Sequence, residues 1–266
     1  SRALEARALE ASTSAPVAHL ATWLHGRQEL DAPVIEALQD HAWVLDATGC
    51  MRTPGECFVD RREVRALIGD RPEAYAEAIV TDPLPEDLVD ALGFRGPQDV
   101  TPEHVADHLA RCATTGQAPP QATYRWLSAG LERGRLEPGR VREALEGLDW
   151  VYTDDERHFP PSQVLGERQL KMFGTRRGYW SRGPQDYPAL CRLFGIEARL
   201  TPGFVAQFLA EIRAEVEQRS DREVLKAEPA LPKMLLACHA WLGARPDHRP
   251  DPTSLVVSTE RGPDAQ

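Results

Sequence analysis

Lysine is nearly missing from this chain: Lys171, Lys226 and Lys233 are the only lysines among 31 basic residues, and arginine supplies the rest. With Ala, Gly and Pro abundant, that usage resembles translation from a GC-rich bacterial genome. Positive charge is itself in deficit, with 31 Lys and Arg against 41 Asp and Glu and a formal net charge of −10. The average surface therefore repels a phosphate backbone, and nucleic-acid binding needs a local basic patch. No apolar run approaches the roughly 18 residues that a spanning helix requires, which excludes a span of that kind. Nor is there a signal pattern: the chain opens Ser1-Arg2-Ala3-Leu4-Glu5, acidic where a secretory or transit segment is basic and then apolar. Five cysteines, Cys50, Cys57, Cys112, Cys191 and Cys238, form an odd and scattered set, read as reduced thiols in a cytoplasm. The start at Ser rather than Met makes a piece of a larger protein the expectation. Catalytic signatures are missing too: the sequence has no P-loop, Rossmann glycine pattern, Gly-x-Ser-x-Gly or Ser-His-Asp arrangement, so the expectation is a non-enzyme without a cofactor.

What the sequence does have is 266 residues, 42% of them hydrophobic, enough to bury a core without disulfide or metal staples, and an internal repeat. Residues 34–44 read VIEALQDHAWV and residues 141–151 read VREALEGLDWV, an offset of 107 that pairs Trp43 with Trp150. Pro54 and Pro161 follow at the same offset, each leading to Glu56 or Gln163. Ala91-Leu92-Gly93 and Leu193-Phe194-Gly195 come next at 102, then Thr101-Pro102 and Thr201-Pro202 at 100. Four blocks in one order argue for tandem duplication. A third element, around Trp23, Trp126 and Trp241, recurs before each unit and once more near the end.

The spacing predicts local structure in each copy. Val34 and Leu38, like Val141 and Leu145, have helical spacing and lead into short β-like runs that turn at Thr48-Gly49 or Asp154-Asp155. A hairpin is expected there, with Cys57-Phe58-Val59 or Val164-Leu165 as the returning strand. Thr101 and Thr201 are N-cap residue types followed by proline, so helices start at both. Their apolar faces are Val105, His108, Leu109, Cys112 and Val205, Phe208, Leu209, Ile212. The expected fold class is α+β, predominantly helical, with two tandem copies of a unit of roughly 100 residues. The expected division is 1–33 N-terminal helices, 34–120 first unit, 121–140 connecting helix, 141–243 second unit with the start of a third, and 244–266 a polar, proline-rich tail. Gln218 to Pro232 is expected to be a polar linker.

A helix, an apolar run with Trp, a turn, Pro-x-[Glu/Gln], a Leu/Phe-Gly helix end and a Thr-Pro-started helix together resemble the repeat-region segments that follow Hsp90-like ATPase modules in sacsin-like proteins and their bacterial relatives. The resemblance covers residues 18–243. It implies the non-catalytic part of a large chaperone-like or scaffold protein, with a protein partner. The Asp-x-Gly-x-Gly loop of the ATPase module is not in this sequence, so ATP binding is not carried over to any residue.

Three clusters stand out against that background. Lys171 to Arg182 is basic and aromatic in an acidic chain, and Arg176, Arg177, Tyr179 and Trp180 are its candidate partner-binding residues, since arginine with Tyr and Trp suits both protein hot spots and stacked nucleic-acid contacts. The bland reading is a solvated helix and loop, because Arg61, Arg62, Arg65 and Tyr75 occupy similar places in the first copy. His104 and His108 have the i, i+4 spacing of metal ligands beside Glu103 and Asp107, which gives a metal-dependent hydrolase as the alternative function. Their counterparts are Phe204 and Phe208, which argues for packing positions instead. Cys50 and Cys57 are a conceivable redox pair across the hairpin, but their counterparts are Arg157 and Val164, and an incidental thiol is the plainer reading.

Overall fold

The computed structural model describes residues 16–24, 31–82, 84–219 and 221–244. The proline-rich tail and most of the N-terminal segment lie outside these residues. The fold is predominantly helical with a few two-residue strands. The chain divides into two compact units: Ser1–Arg111 with Pro119–Trp126, and Cys112–Ala118 with Leu127–Gln266. The division cuts through two helices, α6 and α7 below.

Unit 1 starts with α1 (16–24) and α2 (Ala32–Asp40). Strands β1 (Val44–Leu45) and β2 (Met51–Arg52) form an antiparallel hairpin in which Val44 faces Arg52. Gly49 turns it, at φ 84°, a conformation open to glycine without a Cβ clash. Four helices follow: α3 (Arg62–Ile68), α4 (Ala78–Thr81), α5 (Glu86–Ala91) and α6 (Pro102–Thr115). The first part of α7 (Gln121–Glu132) also belongs to this unit, and the Thr123 hydroxyl donates to the Ala66 carbonyl at 2.8 Å. The core gathers Trp43, Val44, Cys57, Val80, Leu92 and Phe94 with Leu24 of α1. Trp43 meets Phe94 edge-on at 6.1 Å, and its indole N–H donates to the Leu38 carbonyl at 2.7 Å, so its polar edge is satisfied.

Unit 2 contains the rest of α7, α8 (Pro138–Leu145), the hairpin β3 (Val151–Tyr152) and β4 (His158–Phe159), then β5 (Val164–Leu165), α9 (Leu170–Phe173) and β6 (Gly178–Tyr179). After these come α10 (Gly183–Asp186), α11 (Pro188–Phe194), α12 (Pro202–Gln218), α13 (Asp221–Ala227) and α14 (Leu231–Gly243). Phe173, Phe204, Phe208, Ile212, Val224, Met234 and Cys238 share one buried cluster. Trp150 is fully buried and meets Phe194 edge-on at 5.2 Å. The stretch expected to be a polar linker, Gln218 to Pro232, instead contains α13, because Val224 is packed into that cluster.

The same pairings occur in both units. Val44 faces Arg52 and, 107 residues on, Val151 faces Phe159. Cys57-Phe58-Val59 and Val164-Leu165 are not the returning strands of the hairpins; those are β2 and β4. Phe58 instead makes parallel bridges to both Tyr75 and Arg95, and Leu165 makes parallel pairings with both Tyr179 and Glu197. The Ala47 N–H donates to the Tyr75 carbonyl at 3.0 Å and the Asp154 N–H to the Tyr179 carbonyl at 2.7 Å. Gly69 and Gly174, each at positive φ, end α3 and α9, and each carbonyl accepts the hydroxyl of the tyrosine that follows.

Candidate functional site

The four candidates of the basic, aromatic stretch are consumed by the fold, and their expected place on an exposed surface is corrected. Arg177 is 3% exposed, Tyr179 1% and Trp180 6%. Tyr179 lies in β6, and burial pushes its hydroxyl up to about 12. Trp180 stacks on Tyr187 at 5.3 Å and meets Trp150 edge-on at 6.5 Å. The Arg177 guanidinium lies 4.9 Å from the Phe208 ring and 5.6 Å from the Phe204 ring, and it donates to Glu211 at 2.6 Å and to the Arg176 carbonyl at 3.1 Å. Arg176 is half-buried between Glu215, at 2.7 Å, and Glu228. Burial opposes its charge, but the two carboxylates outweigh burial and raise its pKa. Arg176 in turn holds the Glu215 carboxyl below its ordinary range. Composition showed the charge and the rings; only the acids that α12 and α13 bring to them explain what the arginines do.

The two histidines of α6 are packing positions. His108 is buried, and its ring lies so close to Gly69 that a Cβ there would sit 2.3 Å from Nδ1. His104 meets Phe58 edge-on at 5.3 Å, and its Nδ1 accepts the Thr101 N–H at 3.2 Å. That bond joins the residue before the helix to its first turn, as a capping box does. Burial lowers the pKa of both histidines; Arg95 and Arg71 lower His104 further, and Arg111 lowers His108 further. Among the described residues no group of three or more His, Cys, Asp or Glu is placed to hold a metal ion, and the pair has no third ligand.

Three of the four buried thiols are held protonated. Cys50 is exposed at the hairpin while Cys57 is buried, and burial pushes Cys57 up to about 11 and Cys191 and Cys238 up to about 12. A thiol held protonated is a poor nucleophile.

Two polar sites escaped sequence reasoning. Asp46 is fully buried at the turn of the first hairpin, where its carboxylate accepts from the Thr48 hydroxyl at 2.6 Å, from the N–H groups of Cys50 and Thr48 at 2.9 Å, and from Arg52 at 3.1 Å. Burial alone raises its pKa, but these donors together outweigh burial and lower it. Its counterpart Thr153 bonds the Arg157 carbonyl at 2.9 Å, so Asp46 is a turn-closing group. The other site is Arg95, whose guanidinium lies 5.7 Å from the Phe58 centroid on the ring that His104 also touches. An arginine after a helix-ending glycine gives no such signal in the sequence, because the ring it rests on comes from 37 residues earlier.

No helix among the described residues is long and apolar enough to cross a membrane. Comparison with protein-family models, with curated proteins and with solved structures gave no match for this chain.

Proposed function

We propose that this chain is a non-catalytic interaction module, built from two copies of one unit and serving as a scaffold or chaperone-like substrate-recognition region of a larger cytoplasmic bacterial protein. The observation that supports the reading is a set of strand and bridge pairings that recurs in both units with different side chains at the paired positions. The pairings of Phe58 with Tyr75 and Arg95 recur as those of Leu165 with Tyr179 and Glu197, yet Arg95 becomes Glu197 and His104 becomes Phe204. Repeat proteins work in this way: the frame is kept and the chemistry each unit presents is varied. The resemblance to sacsin-like repeat regions points the same way. The test is affinity capture from the native host with the full chain as bait, followed by reconstitution with the purified partner; a stoichiometric complex is expected. Turnover of nucleotides, esters, peptides or phosphodiesters by the pure chain, lost on changing specific polar residues, overturns the reading.

A further inference from the structure

Around the first turn of α6, the two units carry opposite chemistry on equivalent backbone. Arg95 is fixed by its N–H donating to the Cys57 carbonyl at 2.9 Å and by its carbonyl accepting the Val59 N–H at 3.0 Å. Glu197 accepts the Gly166 N–H in the same way at 2.8 Å. Phe58, itself buried, then supports two polar groups at once, the Arg95 guanidinium and the His104 ring. The Arg95 side chain makes no hydrogen bond or ion pair among the described residues. Glu56, within electrostatic range of Arg95, is held by the Thr53 N–H at 2.8 Å, and of the two acids that favour the charged form of His104, Glu103 and Asp107, Asp107 accepts from Arg71 at 3.3 Å. Since Nδ1 of His104 accepts from Thr101, the proton of the neutral ring sits on Nε2, which has no partner among the described residues. A guanidinium with no hydrogen-bonded carboxylate and an N–H donor resting on the same phenylalanine ring form a donor set for a compact oxoanion.

We propose that Arg95 and His104 form a binding site for a phosphoryl group, present in unit 1 and absent from unit 2. The inference rests on the interaction reading above and sharpens it: the phosphoryl group is one carried by the protein partner, and free phosphate offers the same chemistry. Arg95 supplies paired N–H donors, and His104 supplies one more donor and becomes easier to protonate once the anion is present.

The experiment uses the full chain, with inorganic phosphate titrated at constant ionic strength while the histidine ring resonances are followed by NMR. Phosphate is expected to move the His104 titration midpoint upward, and chloride at equal ionic strength to leave it in place. Arg95→Glu and His104→Phe install the residues found in unit 2 and are expected to weaken phosphate binding about tenfold or more; Arg95→Gln does the same without reversing charge if the first variant fails to fold. A phosphoserine peptide that binds more tightly than phosphate, while its unphosphorylated form does not bind, assigns the group to a protein partner; phosphate binding alone supports the site with a small anion as its ligand. A midpoint indifferent to phosphate, or binding unchanged in the Arg95 variants, overturns the site. If the site fails while the wild-type chain still captures a partner, the interaction reading stands without it.

Discussion

Arg177 holds its guanidinium 4.9 Å from the centre of the Phe208 ring and donates to Glu211 at 2.6 Å, so one buried cation joins the aromatic core of unit 2 to a carboxylate of α12. Such a charge is tolerable only because it is paired and stacked. Arg177→Glu places a second carboxylate against Glu211 with no cation between them. The expected loss is about 3–5 kcal/mol, far above the roughly 0.5 kcal/mol typical of exposed charge changes. Urea unfolding monitored by tryptophan fluorescence measures it; an unchanged midpoint would show that the arginine is a surface group after all.

The tyrosine hydroxyls provide a test on both units at once. Tyr75 donates to the Gly69 carbonyl at 2.6 Å, and Tyr179 to the Gly174 carbonyl at 3.3 Å. Tyr75→Phe and Tyr179→Phe each keep the ring and strip a carbonyl of that donor, with an expected cost of about 1–2 kcal/mol. The shorter bond should make Tyr75→Phe the more damaging. No loss in denaturant titrations would mean that water replaces the hydroxyl, and equal losses would remove bond length as the cause of the ranking.

The Thr-Pro helix starts and the two hairpins were legible because each rests on local pattern: spacing, caps and periodicity. The hairpin's partner was not. Cys57-Phe58-Val59 looks like a returning strand, but its hydrogen bonds go to Ala74 and Ala76, on either side of Tyr75, and to Arg95, and no short-range signal encodes them. The basic stretch was misleading for a related reason. Arg176 and Arg177 are charges in the sequence, and whether they face water depends on Glu211, Glu215 and Glu228, which the chain supplies far downstream. For His104 and His108 the sequence pointed to packing only because phenylalanine stands at both matching positions, Phe204 and Phe208.

Those histidines also set a pH dependence. Burial first, and then nearby arginines, lower both pKa values below the ordinary histidine value of about 6.5 in the folded chain. Above that value both rings are neutral in either state, and the stability associated with them is fully present. As pH falls below about 6.5 the unfolded chain takes up protons first, so stability drops until the folded-state values are passed. Urea midpoints between about pH 7.5 and 5.5 should fall, at pH values above those where most carboxylates titrate. The double variant His104→Phe with His108→Phe should flatten that decline; an unaltered slope assigns it to other groups.

Gly69 and Gly174 each end a helix with positive φ, 70° and 55°, and the two sites differ in what surrounds them. Alanine at either position incurs backbone strain of about 1–3 kcal/mol. At Gly174 the new Cβ meets the ends of two flexible side chains, Met234 at 3.3 Å and Glu228 at 3.7 Å. At Gly69 it lands 2.3 Å from Nδ1 of His108, a buried ring that must leave its place. Gly69→Ala should therefore be the costlier change, by more than about 1 kcal/mol. The excess should be specific to the imidazole, so a double-mutant cycle with His108→Ala is expected to show strong coupling, the second substitution removing the clash created by the first. Additive losses in that cycle, measured by urea unfolding at about pH 7.5 where His108 is neutral, would place the whole cost in the backbone and remove the ring from the account.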